Sequence, residues 1–365
     1  MFKRATNKQN RRETWFSRVA TGTDGAIHHA PFFLLLFVVF CAVLGLWFVL
    51  QRSATDELIE TEEVVETLEY QGPRHALTGM PMEDEVRPAV FAVMVENPVD
   101  VRPQSGVNHA FLVFEAPVEG NITRWMALFG ADVDLKEVGP VRSARPYYVD
   151  WALGWDALYA HVGGSPEALA LIQSQDVFDL NEFYWGSTFW RAQRAEAPHN
   201  VFTESIRLLT AWEKIVTETV VYADRLFKEN VAEENRPAAQ TVRVRFGHAQ
   251  YNVDWVYQPK TNDYLRTQIG IVSKMRDGSK LIANNIAVMF TDVEMIDDVG
   301  RKRIRTIGEG EATIVQDGVL ITGTWKKENR KAMLRFYTED GEEMQWNPGV
   351  TWIEVLPIGH TVEEL

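Results

Sequence analysis

The chain has 365 residues, enough for two or three domains, and its 46 % hydrophobic and 24 % charged content is ordinary for a globular protein and excludes wholesale disorder. The formal net charge is −14; residues 1–30 hold six Lys/Arg against two Asp/Glu, so the rest carries −18, a poor partner for nucleic acid, whose affinity comes from phosphate neutralisation. The single cysteine, Cys41, excludes an intrachain disulfide and any cysteine-based zinc site.

The first predicted element is an uncharged run at residues 31–50, PFFLLLFVVFCAVLGLWFVL. As a helix it spans about 30 Å, the hydrocarbon thickness of a bilayer, and it predicts a transmembrane segment. Lys3, Arg4, Lys8, Arg11, Arg12 and Arg18 precede it; Arg52 follows, and then seven acids from Asp56 to Glu69. The positive-inside rule makes residues 1–30 a cytoplasmic tail and puts residues 51–365 outside the plasma membrane. A cleaved signal peptide is the competing reading, but Ser53-Ala54-Thr55 is a weak cleavage patch and the run is long for a signal. Cys41 follows Phe40, where a bacterial lipobox needs a small residue, so lipidation is not expected there.

Residues 51–85 read as an acidic helical stalk and a Gly/Pro-containing linker. A mixed α/β domain is expected over 86–227. Residues 89–96 (AVFAVMVE), 109–119 and 124–129 read as strands, and Pro146 suits the first turn of a helix. Residues 157–162 form a further strand running into Gly163-Gly164, and Ser165-Pro166-Glu167 opens a helix with Ser as N-cap. An amphipathic helix is expected over 203–217. Residues 228–240 are polar and read as a linker. Residues 241–365 carry turn signals at Asp277-Gly278, Asp317-Gly318 and Asp340-Gly341, and predict a mainly antiparallel β domain, a small barrel or sandwich. The fold class is therefore α+β.

Four groups of residues could carry chemistry. Arg142 and Arg145 flank the start of the Pro146 helix, where the macrodipole disfavours cations by about 0.3–1 kcal/mol each. They need a negative partner, either internal (Glu115 or Glu119) or an external anion held by arginine forks and free N–H groups. The Gly163-Gly164-Ser165 turn could cradle an anion or be an ordinary cap; it is neither a P-loop nor a nucleophile elbow. His161 could be a general base or a satisfied structural histidine, and Glu115 with Glu119 could divide acid and base roles or pair with Arg124, Arg142 or Arg145. His199, in Ala197-Pro198-His199-Asn200, could approach His161, but a surface turn is the default reading, and no metal and no cofactor are expected.

These segments together resemble the YerB-like family of bacterial cell-surface proteins, whose domain has no established function. The resemblance rests on RPAVFAVMVENPVDVRPQSGVNHAFLVFEAPVEGNITRWMALF, VGPVRSARPYYVDWA, HVGGSPEA, APHNVFT and NPGVTWIEVLP, in family order over residues 75–360. It places Arg102, Gly106, Glu115, Glu119, Thr123, Arg124, Arg142, Arg145, His161, Gly164, Ser165 and His199 on family motif positions, which implies a shared site but no reaction. The chain departs from the lipoproteins of that family by carrying an apolar run instead of a lipobox.

The expected function is a membrane-anchored extracytoplasmic protein that binds an anionic cell-envelope polymer through Arg124, Arg142, Arg145, Gly163, Gly164, Ser165, His199 and Glu119. The alternatives are a hydrolase or transferase on the same material, with Glu115 or His161 as acid or base, and a scaffold for other envelope proteins.

Overall fold

The computed structural model describes Leu35, residues 37–47, Tyr70, residues 72–217 and residues 219–365. The chain divides into two units, residues 1–68 and residues 69–365. In the first, Leu35 and residues 37–47 are helical and exposed. The expected cytoplasmic tail, both ends of the 31–50 run and the 51–69 stalk lie outside the described residues. Among the described residues no helix is long and apolar enough to cross a membrane.

In the second unit the chain runs through β1 (Val90–Glu96), β2 (Leu112–Pro117), β3 (Thr123–Gly130), α1 (Pro146–Leu153), β4 (Leu158–His161), α2 (Pro166–Ser174), β5 (Asp179–Asn181), β6 (Trp190–Arg191), β7 (Val201–Phe202) and α3 (Ser205–Ile215). It continues through β8 (Thr241–Val244), β9 (Val253–Gln258), β10 (Asp263–Gln268), β11 (Ile271–Val272), β12 (Ile282–Ala283), β13 (Asn285–Thr291), β14 (Val293–Met295) and β15 (Lys302–Ile304). The last strands are β16 (Gly308–Gln316), β17 (Val319–Lys327), β18 (Arg335–Thr338), β19 (Thr351–Pro357) and β20 (Val362–Glu364).

A ten-stranded sheet in the order β18-β17-β16-β13-β19-β2-β3-β1-β4-β5 is the backbone of the unit. Its central strands are continuous apolar runs because both faces are covered: every residue of β1, β2 and β3 is buried. The period-2 alternation divides them between two cores. Ala92, Met94, Phe114 and Met126 pack with α1 and α2 on one face, and Phe91, Val93, Val113 and Trp125 pack with α3 on the other. A smaller antiparallel sheet, β11-β10-β9-β8-β20 with β12 on β10, contributes Val242, Trp255 and Tyr264 to the second core.

The C-terminal part is mostly antiparallel β, as its turn signals predict, but it does not close into a barrel or sandwich of its own. β19 lies between β13 and β2, parallel to both, with Thr351 opposite Leu112 and Asn285. The reason is burial: all seven residues of β19 but Pro357 are buried, so the strand needs cover on both faces. Segment 228–240 is also tied down, through Lys228 N–H donating to the Trp346 carbonyl at 3.0 Å. The Asp317-Gly318 hairpin forms with φ of 53° and 76° at its two turn residues, the left-handed pair that a type I′ turn requires.

Candidate functional site

The antiparallel register of β1 and β3 sets Glu96 opposite Arg124 at one end of the large sheet. The strip after Val141 runs alongside: Arg142 N–H donates to the Met94 carbonyl at 3.0 Å, and Ala144 bridges Gly164. The Glu119–Asn121 turn and the loop carrying His199 close the sides. Together they line a cleft of about 400 Å³ that includes Arg124, Arg142, Arg145, Glu119, Gly164, Ser165, His199 and Glu96.

Arg145 is the satisfied arginine of this group. Its Nε and Nη2 donate to the two carboxylate oxygens of Glu119 at 2.7 and 2.8 Å. This is the internal partner that the helix-start position calls for. Burial lowers the Arg145 pKa, but the Glu119 hydrogen bonds and charge outweigh it and raise the guanidinium; the same contacts hold Glu119 below 4.5 against its own burial.

Arg124 differs. It is 8 % exposed, and its Nη1 donates to the Ser143 carbonyl at 2.8 Å. Among the described residues no carboxylate lies within salt-bridge distance of it. Burial, and then the charge of Arg145, lower its pKa. Arg142 donates from Nη1 to the Pro198 carbonyl at 3.3 Å; its Nε lies 3.1 Å from Glu96 Oε2 but is not aligned for a hydrogen bond.

Glu96 is a site residue that sequence reasoning missed. It is the last residue of β1 and is almost wholly buried. His199 Nδ1 lies 2.7 Å from its Oε2, and its Oε1 has no partner. Burial raises the Glu96 pKa, and the His199 hydrogen bond and the Arg142 and Arg124 charges only partly oppose it. The available signal was a carboxylate ending an otherwise apolar strand. Arg301 was also missed; it lines the cleft and pairs with Asp297 and, at 3.2 Å, with Glu167.

Three sequence candidates lie behind the cleft instead of lining it. His161 is fully buried, with Nδ1 2.7 Å from the Gly163 carbonyl and Nε2 2.7 Å from Asp179. Glu115 is also fully buried; it accepts from Thr123 Oγ1 at 2.5 Å and from Arg266 Nη2 at 2.7 Å. Gly163 shapes the turn: its φ is +57°, and its N–H donates to Asn181 Oδ1 at 3.1 Å. Ser165 lines the cleft and also caps α2, accepting from Ala168 N–H at 3.3 Å. Among the described residues no group of three or more His, Cys, Asp or Glu is placed to hold a metal ion.

The model for "Protein of unknown function (DUF3048) N-terminal domain" matches residues 77–218, and that for the DUF3048 C-terminal domain matches residues 242–353. The chain belongs to the DUF3048 family. It is 34 % identical over 294 residues to a Bacillus subtilis (strain 168) protein named "Putative lipoprotein YerB", covering 77 % of this chain and 85 % of that protein. The crystal structure of Bacillus subtilis YerB superimposes with a TM-score of 0.72 at 31 % identity, covering 80 % of this chain and 99 % of that one. The YerB-like resemblance is thereby established. The family supplies a fold without a reaction, and the two matched segments fall on either side of residues 228–240 while their strands share one sheet.

Proposed function

We propose that the protein is a membrane-anchored extracytoplasmic receptor for an anionic envelope polymer, with the arginine cleft as its binding site. The observation that carries this reading is Arg124. A cation withdrawn from water with no carboxylate in direct contact is expensive, and a ligand phosphate or carboxylate would supply that contact. Arg142, whose Nε faces Glu96 and whose Nη1 donates to the Pro198 carbonyl, brings a second cation to the same cleft. A local cationic site of this kind works in an acidic protein because the field near the cleft, and not the net charge, governs contact.

Residues 31–50 would supply the anchor, with residues 1–30 cytoplasmic. The lack of charge in the run and the basic-to-acidic switch across it support this, as does the lipoprotein name of the Bacillus subtilis relative.

The test is sedimentation of the full chain, reconstituted in lipid vesicles, with isolated cell envelope at rising salt. Wild-type retention should fall with salt, and Arg124→Met and Arg142→Gln should each lose at least tenfold. Retention that is unchanged in both variants would overturn the reading.

A second reading, a hydrolase on the same polymer, is favoured by Glu96. A buried carboxylate with a raised pKa, one unpartnered oxygen and a histidine neighbour has the character of a general acid or base. That role would fall to Glu96, with neither Glu115 nor His161 reaching the cleft. Soluble product that appears with wild type and is lost in Glu96→Gln, with retention preserved, would establish it.

A further inference from the structure

A second cleft of about 380 Å³ lies beside the β10–β11 hairpin and shares no residue with the arginine cleft. Its polar character is one-sided. Trp125, Arg266 and Gln268 all line it, all are at least nine-tenths buried, and each has one nitrogen with no hydrogen-bond acceptor: Trp125 Nε1, Arg266 Nε and Gln268 Nε2. The remaining atoms of two of these side chains are committed. Arg266 Nη1 donates to Gln268 Oε1 at 2.8 Å and Nη2 to Glu115 at 2.7 Å, which leaves only donors spare. Buried donors in folded proteins are nearly always paired; the Arg266 guanidinium is held over the Trp125 and Trp352 rings, at 5.2 and 5.3 Å, and the three N–H groups without an acceptor leave this wall rich in donors.

The charge points the same way. Arg102 and Lys274 line the cleft, and no Asp or Glu does. Arg102 donates to Asn97 through Nε at 3.0 Å and has no carboxylate within salt-bridge distance among the described residues. Burial, then Arg266, draws its pKa down to about 10, so it is still charged at neutral pH.

The rest of the wall is apolar. Ile269 and Ile271, at the hairpin tip, are 61 % and 71 % exposed. Ile269 is held at φ +51°, a conformation that a β-branched residue adopts only under strain. The backbone thus keeps an unfavourable geometry that leaves two aliphatic side chains beside a donor-lined cavity.

We propose that this second cleft binds an amphipathic anion: an acidic head group, carboxylate or phosphate monoester, on a single apolar chain. The head meets Arg102 and the orphaned donors, and the chain lies against Ile269 and Ile271. The volume is at the small end of ligand pockets, which suits one chain and not two. The inference is independent of polymer binding at the arginine cleft.

The experiment uses the full chain in phosphatidylcholine vesicles and dodecanoic acid carrying a terminal diazirine. After irradiation, adducts are mapped by peptide mass spectrometry. Adducts should concentrate within residues 266–281, and unlabelled dodecanoate or dodecyl phosphate should displace the probe at least tenfold better than dodecanol. Whichever of the two displaces more strongly identifies the source as a free fatty acid or a phosphate-headed lipid. Arg102→Met and Gln268→Met should each lose labelling at least tenfold, whereas Arg124→Met should keep it. Thermal melts check folding, and Arg102→Met serves alone if Gln268→Met is unstable. Adducts spread over other exposed apolar residues, equal displacement by dodecanol, or full labelling of a folded Arg102→Met would overturn the proposal.

Discussion

Replacing Glu119 with Gln should weaken the fold and strengthen anion binding at once. Glu119 and Arg145 are joined by two charge-assisted hydrogen bonds, and both side chains are mostly buried. Gln keeps one acceptor, so one such bond is lost. A hydrogen bond to a charged group contributes about 1.5–3 kcal/mol, and the remaining solvent access reduces this to about 1–2 kcal/mol. For a unit of this size the melting temperature should fall by about 2–3 °C at neutral pH. The pH dependence follows from the lowered Glu119 pKa. A carboxylate with a depressed folded-state pKa contributes stability that is fully present above its unfolded value, near 4.5, and is lost as pH falls through the folded value. The wild-type advantage over Glu119→Gln should therefore vanish in acid. Binding should move the other way, because Arg145 is released toward the cleft. One additional arginine–anion contact corresponds to about a tenfold tighter Kd, about 1.4 kcal/mol. Melting scans from pH 7 to pH 3 and titration with inorganic polyphosphate measure both effects. Loss of stability together with weaker polyphosphate binding would refute the reasoning, because Arg145 would then act on the ligand only while held by Glu119.

Two further effects can be measured. Gly163→Ala should destabilise by about 1–2 kcal/mol in denaturant unfolding, the cost of a left-handed alanine. Its Cβ would sit 2.7 Å from Phe183 Cε2, but that ring is exposed and able to move, so Phe183→Ala should restore little; full restoration would place the strain in the ring contact. Glu354 is fully buried, and desolvation, then the charge of Glu115, raise its pKa well above 4.5. The native state therefore keeps this proton where the unfolded chain has lost it, and stability declines as pH rises from about 4.5 toward the folded value. Glu354→Gln retains an acceptor for Trp255 Nε1 and should flatten that decline between pH 5 and 8, whereas a parallel pair of melting curves would contradict it.

What was legible in the sequence was local. Ser165-Pro166-Glu167 opens α2 as its capping pattern requires, and the apolar run ending at Glu96 is β1. The Arg145 position at a helix start demanded a negative partner, and Glu119 is there. What was not legible depends on pairings across long stretches of chain. Glu115 reads as a possible acid beside Glu119, yet the pleat of β2 turns it toward Arg266, 151 residues away. Glu96 gains its meaning only from the register that sets it beside Arg124 and from a loop that brings His199 to it. No periodicity records that β19 enters the sheet between β2 and β13, because a doubly buried strand looks the same wherever it pairs.

That insertion has a consequence for the N-terminal part taken alone. Without β19, β2 becomes an edge strand of six buried residues whose only charge is Glu115. Natural edges are protected by charge, proline or a covering element; Pro117 guards only the end of this one, and the apolar Leu112–Phe114 stretch would template pairing with other copies. Glu115 would also lose Arg266, and breaking a buried ion pair from one side costs about 3–5 kcal/mol, a large share of a domain's typical 5–15 kcal/mol. A fragment of residues 69–227 should therefore aggregate or remain loosely packed, and co-expression with residues 228–365 should recover a soluble complex. Size-exclusion chromatography and thermal melting distinguish the cases. A monomeric fragment with a cooperative melt would show that the N-terminal segment supports its own core, and that β19 is an addition to a finished sheet and not its missing centre.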